Sequence, residues 1–182
     1  MQLVNGFYLP DSDNHFFDKV DSKGYYQIEK MNKALPFVKN RGVFIDIGAH
    51  CGFWSIMALD AGFKKVYAYE ALPEHIECYQ NNVKGNYELT QCVLGNDSFT
   101  EIVPSTDGNS GGTGRKVGDK KVTRLDDIFS DHVDLMKIDV QGMEREVLEG
   151  ALMTIMRCKP LIIVEQKQEK SALRYLEGIG IS

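Results

Sequence analysis

Val43-Phe-Ile-Asp-Ile-Gly-Ala-His-Cys-Gly52 is the stretch of this sequence that decides the fold. Its first half is apolar except for Asp46, which is typical of a central parallel strand covered on both faces. Gly48 and Gly52 then bracket a turn, and residues 53–61 continue as a helical segment. A glycine turn lets a ligand approach bare backbone, and the helix N-terminus behind it favours a negative group. The stretch therefore predicts a strand, a ligand-binding turn and a helix.

A carboxylate ends the second apolar run of the chain. Residues 65–70, Lys-Val-Tyr-Ala-Tyr-Glu, are expected to form the neighbouring strand, with Glu70 at its tip. An acid about 20 residues beyond the glycine turn is placed to hold the hydroxyls of a ribose. Gly48 and Glu70 together predict a nucleoside-binding site. The alternative is an ordinary βαβ turn followed by an incidental acid.

The spacing of the glycines separates two nucleoside cofactors. A dinucleotide site needs Gly-x-Gly-x-x-Gly, whereas this chain has Gly-x-x-x-Gly from Gly48. Asp46-x-Gly48-x-His50-x-Gly52 resembles motif I of the class I S-adenosylmethionine-dependent methyltransferases, Asp/Glu-x-Gly-x-Gly-x-Gly, with His50 in the place of the middle glycine. The resemblance implies that S-adenosylmethionine is bound by Asp46, Gly48, Ala49, His50, Gly52, Glu70 and Ala71, with the adenine near Cys92, Val93 and Leu94.

Composition and charge argue against several classes of function. The chain has 182 residues, which suits one domain with a real core. Its formal net charge of −5 and its pI of about 5.4 give no field that attracts nucleic acid or an anionic membrane. No apolar run approaches the ~20 residues of a bilayer span, and the first residues do not resemble a signal peptide. The cysteines lack Cys-x-x-Cys spacing, which favours reduced thiols in a cytoplasm over zinc or disulfides: Cys51, Cys78, Cys92 and Cys158.

Apolar runs and helical patterns alternate along the chain, which predicts an α/β fold with a mostly parallel sheet and helices on both faces. We expect a single domain over residues 1–182, with a lead-in over 1–41 and a core over 42–178. Strands are expected over 43–47, 65–70, 87–94, 120–124, 134–140 and 161–165, and helices over 25–39 with a break near Pro36, 53–61, 73–83, 125–129, 144–151 and 169–177.

Residues 95–121 differ from the rest of the chain, because they are rich in Gly, Ser, Thr and Asp. Such a segment is either a mobile surface loop or a flap that faces the substrate, since long loops in compact domains are often functional. The second interpretation makes Asn109 and Ser110 candidate substrate contacts.

Charged residues cluster at the fourth and fifth expected strands. Lys137 and Asp139 are two apart on one strand, so their side chains leave the same face. A lysine inside a covered strand must find a carboxylate, because an unpaired buried charge is expensive. Asp139 stands where ligands bind in open α/β sheets. Glu144 and Glu165, nearby in the expected fold, are candidate substrate contacts, unless all four form a structural ion-pair network.

A family resemblance becomes specific when the motifs are taken in order. They are 46-Asp-Ile-Gly-Ala-His-50, 69-Tyr-Glu-Ala-Leu-Pro-73, 93-Val-Leu-Gly-95, 125-Leu-Asp-Asp-127, 137-Lys-Ile-Asp-Val-Gln-Gly-142 with Glu144, 147-Val-Leu-Glu-Gly-Ala-151 and 162-Ile-Ile-Val-Glu-165. This order resembles the FkbM-type methyltransferases, over roughly residues 40–178. The resemblance implies a Rossmann-like class I methyltransferase sandwich, S-adenosylmethionine as cofactor, and O-methylation of a small-molecule or glycan hydroxyl. Gln141 departs from the family, which commonly has Glu there.

Methyl transfer to a hydroxyl benefits from a base that takes its proton. The candidates are Asp139 first, then His50 and a Lys137 with lowered pKa. A metal-assisted variant is an alternative, since Asp139 with Glu165 and Gln166 resembles the Asp…Asp-Asn arrangement of catechol-type O-methyltransferases, and these oxygen ligands would suit Mg²⁺. We do not favour it, because acid pairs at strand ends often serve structure alone.

Other classes of function are less consistent with these motifs. The glycine spacing disfavours an NAD-dependent oxidoreductase, and a non-catalytic nucleoside-binding domain would need no acid at position 139. RNA methylation would need more than a short basic patch without interleaved aromatic residues. That patch consists of Arg115, Lys116, Lys120 and Lys121.

The end of the sequence carries one more expectation. Class I methyltransferases normally follow the fifth strand and its helix with an antiparallel hairpin, for which residues 178–182 leave no room. The strand over 161–164 would then be an apolar edge, which invites pairing with another chain. We expect a truncated gene product, or an edge covered by self-association or by residues 1–41 or 99–124.

Overall fold

The computed structural model describes residues 1–17, 19–96, 99–103, 109, 114–165 and 171–181, with the backbone alone over 99–103 and 114–121. The strands are β1 (Gln2–Val4), β2 (Phe7–Leu9), β3 (Val43–Ile47), β4 (Lys65–Glu70), β5 (Tyr87–Gln91), β6 (Phe99–Val103), β7 (Gly114–Lys121), β8 (Leu135–Ile138) and β9 (Leu161–Val164). The helices are α1 (Ile28–Ala34), α2 (Phe53–Asp60), α3 (Pro73–Asn82), α4 (Leu125–Ile128), α5 (Glu144–Gly150), α6 (Leu152–Cys158) and α7 (Ser171–Gly178), and Leu35–Phe37 is a 3-10 turn.

The central sheet has five strands in the order β5-β4-β3-β8-β9, and all of its neighbours are parallel. The chain runs outward from β3 to β5 and then returns to β8 on the other side of β3. This reversal of strand order opens a crevice at the carboxyl ends of β3 and β8, where open α/β sheets bind their ligands. The predicted α/β class with a mostly parallel sheet is confirmed.

Alternation along β3 explains why both faces of the sheet are covered. Phe44 packs with α1, α2, α3 and the first twenty residues of the chain, whereas Ile45 and Ile47 pack with α4, α5, α6 and α7. Four of the five β3 residues are buried, as its nearly continuous apolar run predicts for a central strand. Asp46 lies on the same face as Phe44, so a carboxylate is enclosed in the first of these layers.

Predictions for the other elements were partly wrong. The segment 95–121 was expected to be a surface loop or a flap that faces the substrate, and the antiparallel ribbon of β6 and β7 that lies there was not predicted. The pattern also missed the β1–β2 hairpin, whose strands have three residues each, and α6, which follows α5 after one residue. The strands of the hairpin are too short for an alternation over about 4–8 residues to be recognised, and α6 has only seven residues.

The outer strand β9 is covered on one face by the beginning of the chain. Leu161 and Ile163 are half-buried in the same hydrophobic layer as Ile28, Leu35 and Val38. Within the part of the chain that the structure describes, β9 pairs only with β8. This packing lies on a face of the strand and not at its edge, so the covering of the edge, by residues 1–41 or by self-association, stays a prediction. No helix among the described residues is long and apolar enough to cross a bilayer.

Candidate functional site

The turn after β3 is pressed against the end of β8. Gly48 has a φ of +73°, and a Cβ at this position would stand 1.9 Å from the carbonyl oxygen of Asp139. The N–H groups of Gly48 and Ala49 both donate to the carbonyl oxygen of Tyr69, at 2.9 and 3.1 Å. The turn is thus fixed between β4 and β8, and only glycine fits at position 48.

His50 joins this turn to an aromatic cluster. Its φ is +51°, a left-handed conformation that is uncommon for a residue other than glycine. The backbone N–H of His50 donates to Oε2 of Glu70 at 2.8 Å. Its ring is stacked on Phe53 at 5.4 Å between centroids, and the rings of Phe16 and His75 lie at 5.1 and 4.0 Å. The hydrogen bond and the ring contacts hold the strained residue in place.

Glu70 is a buried and ionised acid at the tip of β4. Its Oε1 accepts hydrogen bonds from the N–H groups of Ala71 and Leu72 at 2.8 and 3.0 Å, and Nδ1 of His75 lies 3.2 Å away. Burial alone would raise the pKa of this carboxyl, but His75 and the backbone donors outweigh it and lower the pKa to about 2. Oε2 accepts one bond, from His50, so it keeps a lone pair for a ligand hydroxyl.

Lys137 ties β8 to the same turn. Its Nζ donates to the carbonyl oxygen of Gly48 at 2.7 Å and lies 3.3 Å from Oδ1 of Asp46, whose Oδ2 accepts from Ser55 Oγ at 2.7 Å. Burial would lower the pKa of the ammonium, but the charges of Asp46 and Asp139 outweigh it and raise the pKa. The expectation of a lowered pKa for Lys137 is therefore wrong. The residue acts as a charged clamp and not as a base.

Asp139 has the opposite environment to Glu70. Its N–H donates to the carbonyl oxygen of Ile47 at 3.1 Å, and Oδ1 accepts from Nε2 of Gln141 at 3.0 Å. Burial raises the pKa of this carboxyl, Lys137 opposes the rise, and the charge of Glu165 adds to it. A carboxylate with a raised pKa is a better proton acceptor than one in water, which suits a general base.

One cavity joins these groups. The residues of its lining that the sequence predicted are Gly48, Ala49, His50, Glu70, Ala71, Cys92, Val93, Leu94, Lys137 and Asp139. The others are Phe16, Tyr26, Ile47, Phe53, Trp54, Tyr69, His75, Val140, Gln141 and Met143. The glycine turn, Glu70 and the carboxylate of Asp139 therefore open into the same space.

Several predicted site residues do not line this cavity. Asp46 is fully buried behind the turn, and Gly52 caps α2, where a Cβ would meet Val83 at 2.3 Å. Both support the turn from behind, which corrects the expected direct contact with a cofactor. Glu144 was expected to face the substrate, but its two oxygens lie 2.9 and 3.1 Å from the N–H of Gly142, which donates to them. That carboxylate holds the turn before α5 instead.

The remaining predicted contacts lie at the margin of the site or beyond it. Glu165 forms a half-exposed ion pair with Lys30 at 3.3 Å, and Asn109 is half-buried away from the cavity lining. Ser110 and Gln166 lie outside the described residues. Among the residues that are described, no group of three or more His, Cys, Asp or Glu side chains is arranged to hold a metal ion.

Two features of the lining had weak signals in the sequence. His75 lies two residues beyond Pro73 in the helix that follows Glu70, and it is 2% exposed with Nδ1 at 3.2 Å from Oε1 of Glu70. Phe16 and Tyr26 belong to an aromatic-rich lead-in, but no spacing links that segment to the turn after β3. Phe16 and Tyr26 reach the site because the segment before β3 folds back against the sheet, and this path is not encoded by a local pattern.

Comparisons with known proteins identify the family and the fold of this chain. The model of the methyltransferase FkbM domain family matches residues 46–176, so the chain belongs to the FkbM methyltransferase domain family. A crystal structure of the methyltransferase FkbM from Methylobacillus flagellatus KT has the same fold, with a TM-score of 0.55 and 23% sequence identity. The alignment covers 76% of this chain and 36% of that chain, so this protein spans about a third of that structure's length. Among curated proteins, none matches the chain.

The clamp formed by Lys137 leads to a prediction about stability. Lys137→Met should lower the free energy of unfolding by about 3–5 kcal/mol, because it leaves the carboxylate of Asp46 buried without its counter-ion. Lys65→Met is the matched control, since it breaks an ion pair with the exposed Glu88 and should cost only a small fraction of that amount. Urea unfolding of both variants measures the difference. Equal losses of unfolding free energy in the two variants would show that Lys137 does not stabilise the turn.

The lowered pKa of Glu70 leads to a prediction about pH. The folded pKa of about 2 lies below the ordinary value of 4.5, so ionised Glu70 stabilises the fold above pH 4.5 and this contribution is lost as the pH falls toward 2. Its size is about 3 kcal/mol. The difference in unfolding free energy between wild type and Glu70→Gln should therefore shrink on acidification, with Glu88→Gln on the next strand as control. A difference that does not change between pH 6 and pH 3 would refute the assignment.

Proposed function

We propose that this chain is an S-adenosylmethionine-dependent methyltransferase that methylates a hydroxyl group of a small molecule or glycan. The observation that carries the proposal is the single cavity that joins the glycine turn and Glu70 to the carboxylate of Asp139. Membership of the FkbM domain family supports methyl transfer as the reaction class. The raised pKa of Asp139 supports a hydroxyl as the acceptor, because an oxygen nucleophile must lose a proton.

The residues present fit the cofactor. Gly48 leaves the turn bare where a side chain would collide with Asp139, and Oε2 of Glu70 keeps a lone pair for a ribose hydroxyl. Nδ1 of His75 pairs with Oε1 of the same acid, which leaves Oε2 to the ligand. Cys92, Val93 and Leu94 would hold the adenine at the far end of the cavity. The gap between Gly48 and Gly52 fits this donor better than a dinucleotide, because the dinucleotide turn needs a third glycine at a different spacing.

S-adenosylmethionine supplies an electrophilic methyl group on a sulfonium, so the protein has to bind, align and exclude water. Lys137 and Asp46 fix the turn, and with it the position of the donor relative to β8. Asp139, held by Gln141, takes the proton of the acceptor hydroxyl at its carboxylate. We assign no metal to this step, because Glu165 pairs with Lys30.

Binding of the donor tests the proposal without knowledge of the acceptor. Trp54, the single tryptophan of the chain, lines the cavity, so its fluorescence should report titration with S-adenosylhomocysteine and should not respond to NAD. Glu70→Ala should weaken the affinity by about 1–3 kcal/mol, the cost of stranding hydrogen-bonding groups. Glu88→Ala, an exposed acid on the neighbouring strand, is the matched control. Tighter binding of NAD than of S-adenosylhomocysteine would contradict the proposal.

Turnover tests the role of Asp139. Asp139→Asn should keep the affinity for S-adenosylhomocysteine and lose about 10²–10⁴-fold in kcat, because the amide cannot accept the proton. Product formation from labelled S-adenosylmethionine with a panel of methyl glycosides and phenols is the measurement, and Asp127→Asn, exposed on α4, is the control. Full activity of Asp139→Asn would place the base elsewhere. Loss of wild-type activity with EDTA and its return with Mg²⁺ would establish the metal-assisted variant.

A further inference from the structure

One wall of the cavity contains residues from a part of the chain outside the matched family domain. The family match begins at residue 46, whereas Phe16 and Tyr26 belong to the preceding segment and still line the cavity. The glycine turn, Glu70 and Asp139 all lie within the match. The proposed donor-binding and proton-accepting groups are therefore part of the family domain, whereas Phe16 and Tyr26 lie outside the matched range.

The wall is a rigid corner of aromatic rings. Phe16 and Tyr26 meet edge to face, with centroids 5.0 Å apart and planes at 85°. Phe53 supports both rings, at 5.0 Å from Phe16 and 5.7 Å from Tyr26, and the ring of His50 lies 5.1 Å from Phe16. These separations lie within the range of favourable aromatic pairs. The orientation of the Phe16 and Tyr26 rings in the cavity wall is therefore fixed before a ligand binds.

Local backbone contacts hold both aromatic residues in place. The N–H of Phe16 donates to Oδ1 of Asp13 at 3.0 Å, and its carbonyl oxygen accepts from Val20 at 3.2 Å. Tyr26 precedes Gln27, which takes a left-handed φ of +58° immediately before α1. Lys30, one turn further on, is anchored to Glu165 at the end of β9. The segment is thus attached to the sheet beside the site of proton transfer.

Tyr26 is the polar member of this wall. Burial raises the pKa of its hydroxyl, Gln27 opposes the rise, and the charges of Glu165 and Asp139 add to it. The hydroxyl is therefore protonated and available as a hydrogen-bond donor in the cavity that Asp139 also lines. A donor and an acceptor that bracket one space, with aromatic faces between them, match a ligand that combines a flat apolar face with a hydroxyl group.

We propose that Phe16 and Tyr26 form the acceptor subsite, in which a hydroxylated ring stacks on the aromatic faces and receives a hydrogen bond from the Tyr26 hydroxyl. This deepens the proposed function and rests on it, because the donor must occupy the Gly48–Glu70 end for this side to receive the acceptor. A phenol and a sugar both present a ring face and a hydroxyl, so both belong to the expected class. Acyclic hydroxyl compounds do not, since they have no face to stack.

Fragment binding tests the subsite without an identified substrate. The full chain, saturated with S-adenosylhomocysteine, is titrated by ligand-observed NMR with phenol, catechol, methyl β-glucopyranoside and methyl β-galactopyranoside, and with glycerol as the acyclic control. We expect the ring compounds to bind at least about tenfold more tightly than glycerol. Comparison of the phenols with the methyl glycosides shows whether the subsite prefers an aromatic ring or a sugar ring. Equal affinity for rings and glycerol would overturn the proposal.

Variants separate this subsite from the donor site. Tyr26→Phe keeps the ring and should weaken binding of the ring compounds about fivefold, the loss of one hydrogen bond. Phe16→Leu should weaken it further. Tyr25→Phe is the matched control, because its hydroxyl donates to Asp60 at 2.7 Å and does not line the cavity. Unchanged fragment affinity in Tyr26→Phe and Phe16→Leu would refute the subsite.

The fluorescence of Trp54 completes the test, because it measures S-adenosylhomocysteine binding in the same variants. Affinity for S-adenosylhomocysteine should remain within about twofold of wild type in Tyr26→Phe. A loss of that affinity with intact fragment binding would instead assign the aromatic wall to the donor site and overturn the inference. A wild-type protein that binds the ring compounds but no S-adenosylhomocysteine would contradict the proposed function and not the ring subsite.

Discussion

The close approach between the turn after β3 and the end of β8 is the constraint on which the rest of the site depends. Gly48 and the carbonyl oxygen of Asp139 come so near that no side chain fits between them, and Lys137 reaches from β8 to the carbonyl oxygen of Gly48. The turn that would hold the donor and the strand that carries the base are therefore one rigid unit. In a displacement reaction the donor and the acceptor must be aligned, and in the proposed function this contact would supply that alignment.

The two carboxylates in the cavity differ in pKa because their surroundings differ. Backbone donors and His75 lower the pKa of Glu70, which stays ionised and can only accept hydrogen bonds. Asp139 is buried with the charge of Glu165 nearby, and its pKa is raised although Lys137 opposes this. A pair of acids with pKa values pushed apart can divide two tasks, binding for one and proton transfer for the other. The proposed function uses that division.

Local patterns were sufficient for the elements that carry the donor end. The apolar run that includes Asp46, the glycines after it and the acid at position 70 lie on adjacent strands, so their order in the sequence already defines their arrangement. The predicted need of Lys137 for a carboxylate was also met. Its partner is Asp46, which lies directly opposite it across β3 and β8, and this register is not visible in the sequence of either strand.

Long-range packing explains what the sequence did not predict. Phe16 and Tyr26 reach the cavity only because the first forty residues return over α2, and no local pattern encodes that path. Glu144 was predicted to contact the substrate because it follows β8. Its carboxylate instead accepts a hydrogen bond from the N–H of Gly142, two residues away. This hydrogen bond depends on the geometry of the turn, in which Gln141 and Gly142 have φ values of +55° and +101°. The sequence does not show that geometry.

A crystal structure of the chain with S-adenosylhomocysteine tests the central claim most directly. The account predicts that the ribose hydroxyls donate to Glu70, that the sulfur lies against the turn at Gly48, and that it faces the carboxylate of Asp139 across the cavity. A ligand bound elsewhere would contradict the account, as would one in this cavity with its ribose away from Glu70.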